Sequence, residues 1–157
     1  MKEELLLQQH RPDVRRSTRQ TGEKGETLAA RFLRLNGFRL VAANFTVPIG
    51  RNSRGAQVTG EIDLIALEED ALCFIEVKTR ASRDFGGPLS AVDRQKQRQI
   101  IRAARVYRRI FGLFDMRFRY DVVTVITPPN GPPEMELFRD FWSETSFRKK
   151  EWHDDIL

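Results

Sequence analysis

Gly60-Glu61-Ile62-Asp63-Leu64-Ile65-Ala66, followed by Phe74-Ile75-Glu76-Val77-Lys78-Thr79-Arg80, is the stretch on which the fold turns. Both pieces are rich in β-branched and apolar residues and read as strands, Val58 to Leu67 and Leu72 to Arg80. Only Glu68-Glu69-Asp70-Ala71 separates them, and so short a connection predicts an antiparallel hairpin. Phe74-Ile75-Glu76-Val77 is apolar on both sides of its charge, the pattern of a strand buried on both faces. Asp63 is likewise embedded between Ile62, Leu64 and Ile65.

Side chains alternate along a strand, so Glu76 and Lys78 point the same way. If Asp63 shares that sheet face from the neighbouring strand, an aspartate, a glutamate and a lysine lie within a few ångströms of one another. Two close carboxylates repel, and a partly buried charge needs an opposite partner. A hard divalent cation, Mg²⁺ or Mn²⁺, resolves the conflict, since it takes one or two carboxylates and keeps its other positions for water and phosphate. The Val77 backbone carbonyl is a further oxygen donor, and Lys78 is placed to position or deprotonate an attacking water. Alternation of Glu-x-Lys with apolar residues also describes a half-solvated face; the apolar flanks on both sides are what favour a site.

Working outward, Leu28, Ala29, Phe32, Leu33 and Leu35 recur at helical spacing and predict a first helix from Gly22 or Glu23 to Asn36. Thr21 is its expected cap, Glu23 and Glu26 suit the positive end of its dipole, and Asn36-Gly37 is the stop. Glu26 falls at the edge of the apolar face, so its carboxylate points along the protein body. A strand, Leu40 to Val47, and a polar loop, Pro48 to Gln57, precede the hairpin. Beyond it, a Gly/Pro-rich link from Phe85 leads to Ser90 and Asp93, which resemble a capping box for a second helix over Ala91 to Phe111. Tyr120 to Thr127 reads as a strand ended by Pro128-Pro129-Asn130-Gly131, and Glu134 to Phe141 as an edge strand, with Trp142, Phe147 and Trp152 as anchors of a short helix. The order α-β-β-β-α-β, plus one strand, predicts an α/β fold with a mixed central sheet flanked by helices. Residues 1–20 read as a flexible basic tail, 21–142 as one domain and 143–157 as a second tail.

On the second helix Arg94, Arg98, Arg102, Arg105 and Arg109 share one face, a stripe about 20 Å long. The planar guanidinium suits phosphate oxygens, so this stripe is the expected nucleic-acid-binding surface; a solvated face is the plainer alternative. Lys96 falls on the side of Ile100 and Tyr107, towards the sheet, and is an auxiliary candidate for the site. So is Glu61, two residues before Asp63.

The 157 residues carry a net charge of +5, which points towards polyanionic partners. One cysteine, Cys73, sits in an apolar run and excludes an internal disulfide, in keeping with a reducing cytoplasm. The longest early apolar run is Leu5 to Leu7, far short of the roughly 20 residues of a membrane span; no membrane partner is expected.

Asp63 followed by Glu76-Val77-Lys78 resembles the signature of the restriction-endonuclease-like nuclease superfamily. More closely, the chain resembles the bacterial YraN family, small uncharacterised proteins related to archaeal Holliday-junction resolvases. The matching pieces are Gly22-Glu23-Lys24-Gly25-Glu26 with Ala29-Ala30, Asn44, the two strand motifs and Lys96, within about residues 21–127. The resemblance implies a restriction-endonuclease-like core, metal ligands at Asp63 and Glu76, a catalytic lysine at Lys78 and a helix carboxylate at Glu26. Two departures stand out: Ile62 occupies a place where the superfamily often has proline, and the loop 48–57 is long for this family. The expectation is a Mg²⁺- or Mn²⁺-dependent endonuclease on DNA, ahead of RNA, with branched or damaged structures as candidate substrates. The alternatives are a non-catalytic nucleic-acid-binding module of a repair or recombination assembly, and an RNA-processing enzyme. By analogy with the resolvases, a homodimer is the expected assembly.

Overall fold

A computed structural model gives the fold; residues 14–83 and 92–147 are described, with side chains from Lys24 onward. Along the chain run α1 (Val14–Leu35), β1 (Arg39–Arg51), β2 (Gln57–Glu68), β3 (Ala71–Arg80), α2 (Arg94–Ile110), β4 (Phe118–Ile126) and β5 (Glu134–Trp142), then a 3-10 turn, Glu144–Phe147. The strands form one mixed sheet in the order β1-β2-β3-β4-β5. Only β3 and β4 pair in parallel, and α2 lies in the crossover that such a pair requires. This is the α/β arrangement with a mixed central sheet expected from the order of elements, and it is consistent with the restriction-endonuclease-like core that the resemblance implies.

Each face of the sheet is covered by one helix. Ala29 and Leu33 of α1 pack with Leu64, Ala66, Cys73, Ile75, Val123 and Val125. On the opposite face Ile100, Ala103, Ala104 and Tyr107 of α2 pack with Ile65, Leu72, Phe74, Tyr120 and Val122. Leu72, Phe74 and Glu76 follow one parity of β3, and Cys73 and Ile75 the other. Ala71 to Glu76 are all buried, as a strand covered on both faces must be. Among the described residues no helix is long and apolar enough to cross a membrane.

Two close approaches set the helices on the sheet. A Cβ at Gly25 would collide with the Thr79 hydroxyl, so only glycine lets α1 sit this near β3. At Gly60 a Cβ would lie 2.9 Å from Ile49 Cγ2, 3.1 Å from Ala103 Cβ and 3.2 Å from the Gln99 carbonyl oxygen, so α2 crosses directly over β2 there.

Three boundaries differ from expectation. The first helix begins at Val14, not at Gly22 or Glu23, and Thr21 lies inside it instead of capping it. No proline or glycine interrupts residues 14–21, and an interior glycine such as Gly22 costs a helix only about 1 kcal/mol. The stretch Pro48 to Gln57 is not a loop: β1 continues to Arg51, β2 starts at Gln57, and only the turn between them is irregular. Proline and glycine argue against a strand interior, but β1 is an edge strand and its register shifts between Pro48 and Gly50, where both are tolerated. The second helix begins at Arg94, and its cap is Asp93, whose carboxylate accepts the Lys96 amide at 2.8 Å. The proposed Ser90 cap, the link from Phe85, Trp152 and most of both tails lie outside the described residues.

Candidate active site

The site forms where β2 leaves β3. Their pairing ends at Leu64 and Ile75, and at the next position the Asp63 carboxylate takes over, its Oδ2 accepting the Val77 amide at 2.8 Å. Ile62 belongs to the core under α2 while Leu64 belongs to the core under α1. Residues two apart on a regular strand share a face, so β2 kinks at Asp63. Opposite the kink on β1 stands Asn44, in the left-handed conformation with φ of 51°, which asparagine tolerates better than most residues.

Glu76 lies one step along β3, 3% exposed. Two lysines bracket it. Lys78 Nζ stands 3.0 Å from Oε1, from the same strand face, and Lys96 Nζ stands 3.7 Å from Oε2, from the first turn of α2. The second distance is too long for a hydrogen bond, and Oε2 is buried with no hydrogen-bond partner. Asp63 is 9% exposed. Burial, and then the charge of Glu76, push its carboxyl up to about 7, with Glu26 adding in the same direction; the Val77 amide and Lys96 pull the other way. Asp63, Glu76, Lys78 and Lys96 are thus brought together, and Glu26, half-buried on α1, is near enough to act on Asp63. Glu61 is exposed on β2, and the alternation that would place it beside Asp63 is broken by the kink.

The donor set suits a hard divalent cation in kind. A buried carboxylate oxygen lacking a donor, beside a second carboxyl that burial and its neighbour's charge hold above its usual range, offers oxygen donors of the kind such a cation takes. Asp63 and Glu76 would hold such an ion, with the Val77 carbonyl as a third candidate donor. Among the described residues no three His, Cys, Asp or Glu side chains are placed to hold a metal; Asp63 and Glu76 are two carboxylates, as many as Mg²⁺ usually takes.

The arginine stripe is divided. Arg105 donates through Nε and Nη2 to Glu144 Oε2 at 3.1 and 2.6 Å, and Arg94 donates to the Ser146 carbonyl at 3.0 Å. Glu144 also accepts the Tyr120 hydroxyl at 2.7 Å, and its carboxyl is held low by Arg105 and Tyr120 despite burial. The Phe147 ring lies under the guanidinium groups of Arg94 and Arg98. Residues 143–147 therefore pack on α2 and occupy part of the stripe. Arg98, Arg102 and Arg109 are exposed and pair with no carboxylate among the described residues. Sequence reasoning did not find the Val77 amide as a partner of Asp63, because a backbone donor leaves no trace in side-chain spacing.

Known relatives match most of this frame. A UPF0102 protein of Solibacter usitatus is 41% identical over 125 residues, 80% of this chain and 87% of its own. One from Symbiobacterium thermophilum is 40% identical over 123 residues, 78% of this chain and 96% of its own. One from Chlorobium limicola is 36% identical over 130 residues, 79% of this chain and 93% of its own. The model of the family described as "Uncharacterised protein family UPF0102" matches residues 25–125, which hold Glu26, Asp63, Glu76, Lys78 and Lys96. The chain belongs to the UPF0102 family.

Proposed function

We propose that this protein is a divalent-cation-dependent nuclease that hydrolyses phosphodiester bonds, with DNA as substrate ahead of RNA. The observation that carries the reading is Glu76: a buried carboxylate beside buried Asp63, clasped by Lys78 and Lys96, with one oxygen left without a donor. A Mg²⁺ or Mn²⁺ ion, when bound, lowers the pKa of water and polarises phosphate oxygens. Asp63, fixed by the Val77 amide, and Glu76 orient the ion-binding oxygens. Lys78, part-exposed at the mouth of the site, can hold a water or offset charge gathering on the phosphate. Lys96 keeps Glu76 from turning away, and Glu26 adds negative character behind Asp63. The arginines of α2 that pair with no carboxylate among the described residues, Arg98, Arg102 and Arg109, hold backbone without reading sequence. The family description assigns no activity, so the reading rests on the site.

A second reading is favoured by one feature: both lysines already pair with Glu76, and among the described residues no group of three His, Cys, Asp or Glu side chains is placed to hold a metal. A nucleic-acid-binding module that does not cleave would be built this way too. The test is incubation of labelled linear, flapped and four-way DNA, and matched RNA, with Mg²⁺ or Mn²⁺. Metal-dependent products that disappear in Glu76→Ala are the expected result. Binding without cleavage on every substrate would select the non-catalytic module, and cleavage surviving in Glu76→Ala would place the activity elsewhere.

A further inference from the structure

Beyond Asp63 the first two strands continue without the rest of the sheet. β2 pairs with β3 only from Leu64 onward, whereas its pairing with β1 runs on to Arg51 and Gln57. The result is a two-stranded ribbon leading away from the site. Its inner side is anchored: Ile49 is buried in the core under α2, and Gly60 lets α2 pass at contact distance. At Gly50, with φ of +138°, any side chain would strike the Arg102 guanidinium, so the ribbon lies against that arginine.

The tip is a built turn. Asn52 Oδ1 accepts the amides of Arg54 and Ala56, each at 3.0 Å, and the Asn52 amide donates to the Ala56 carbonyl at 2.9 Å. Arg51 donates from Nη1 to the Gly55 carbonyl at 2.8 Å, which uses one of its five donors. Arg51 and Arg54 are exposed, and neither they nor Arg98 and Arg102 pair with a carboxylate among the described residues. Elsewhere on the surface Arg83, Arg105, Arg117 and Arg139 each have an acidic partner, whereas Arg31, Arg34, Arg39 and Arg109 are exposed without one among the described residues. What sets the tip and α2 arginines apart is that they stand on adjoining elements, with Gly50 against Arg102. Arginines left unpaired on adjoining elements and held by an ordered turn are an anion-binding surface waiting for its anion.

We infer that the β1–β2 ribbon tip, through Arg51 and Arg54, joins Arg98 and Arg102 of α2 in a second phosphate-binding surface, separate from the Asp63–Glu76 cluster. Its ligand is the sugar-phosphate backbone of a nucleic-acid duplex. The inference rests on the nucleic-acid reading above but not on cleavage. The six steps from Gln57 to Asp63 span about 20 Å, or roughly six nucleotide steps of 3.4 Å. The surface thus holds the duplex to one side of the bond at the site, and it runs across α2 instead of along it, because Arg94 and Arg105 are taken by residues 143–147.

The experiment is fluorescence anisotropy of a labelled duplex of roughly 20 base pairs, in EDTA, over a series of salt concentrations. Arg51→Glu with Arg54→Glu is expected to weaken binding by roughly tenfold or more and to reduce the salt slope by about 2, one per lost phosphate contact. Arg51→Lys with Arg54→Lys should keep the wild-type slope. Arg34→Glu with Arg117→Glu, an equal charge change on α1 and ahead of β4, should stay within about twofold of wild type. Thermal melts confirm folding of each variant. Wild-type affinity in the reversed tip, or an equal loss in the control pair, would overturn the inference. Local loss of binding in a protein that cleaves nothing would support this surface and remove the nuclease reading, whereas cleavage with an indifferent tip would do the reverse.

Discussion

Asp63 and Glu76 are both buried, and each answers its burial differently. Glu76 has two lysines; Asp63 has one backbone amide and a carboxylate for a neighbour. With its pKa raised from 3.8 to about 7, Asp63 binds a proton more tightly folded than unfolded. Through that window the native state therefore holds more protons, and stability falls as pH rises. Asp63→Asn, which can still accept the Val77 amide, should accordingly be more stable than wild type at pH 8 in EDTA, by roughly 2 kcal/mol or about 4–8 °C in Tm. A melt in which Asp63→Asn is the less stable protein would contradict this. Asp63, Glu76 and Lys78 were legible because charges stood inside apolar strands. The kink at Asp63 was not, since it arises from how two strands separate and leaves the local pattern intact.

At the scale of elements, glycines and ion pairs fix what the hydrophobic pattern leaves open. Gly25→Ala should push α1 off β3 and destabilise the fold by roughly 1–3 kcal/mol; Thr79→Ala, by removing the hydroxyl it strikes, should recover part of that loss in a double-mutant cycle. At the far end of the sheet Glu68 of β2 receives Arg119 of β4 and Arg139 of β5, and Arg139 donates at 2.6 Å. The bond from Arg139, then that from Arg119, lower Glu68 from 4.5 to about 2. A depressed carboxylate contributes stability above its unfolded pKa and loses it as pH falls through the folded one. Urea titrations should therefore show Glu68→Gln about 1 kcal/mol less stable than wild type at pH 6, with the gap closing between pH 4.5 and 2; a gap that persists at pH 2 would exclude the ion pairs as its source. Helices and strands were legible from periodicity, yet their ends moved. Val14–Gly22 lacked an apolar stripe to announce a helix, and Pro48 and Gly50 concealed a strand that only its edge position permits.

For the molecule as a whole, the basic charge is not evenly available. The arginine stripe read from the helical wheel is real as geometry, but Glu144, Ser146 and Phe147 take Arg94 and Arg105 out of it. No helical wheel reveals that, because the partners come from a segment about 40 residues further along the chain. The α/β class, and the strand positions that bring the candidate residues Asp63, Glu76 and Lys78 together, followed from local patterns; which cations lack a carboxylate partner among the described residues depends on tertiary packing. Glu144→Ala releases Arg105 and loosens residues 143–147, so duplex binding in low salt should tighten by about two- to fivefold, with a steeper salt dependence. Weaker binding in anisotropy would mean instead that the packed segment itself supports the nucleic-acid surface.

Mn²⁺ binding followed by electron paramagnetic resonance tests the Asp63–Glu76 cluster directly, without substrate or turnover. One ion per chain, displaced by Mg²⁺ and lost in both Asp63→Asn and Glu76→Gln, is the predicted result. Absence of binding at millimolar Mn²⁺, or binding indifferent to both substitutions, would contradict the assignment of these two carboxylates to a divalent cation.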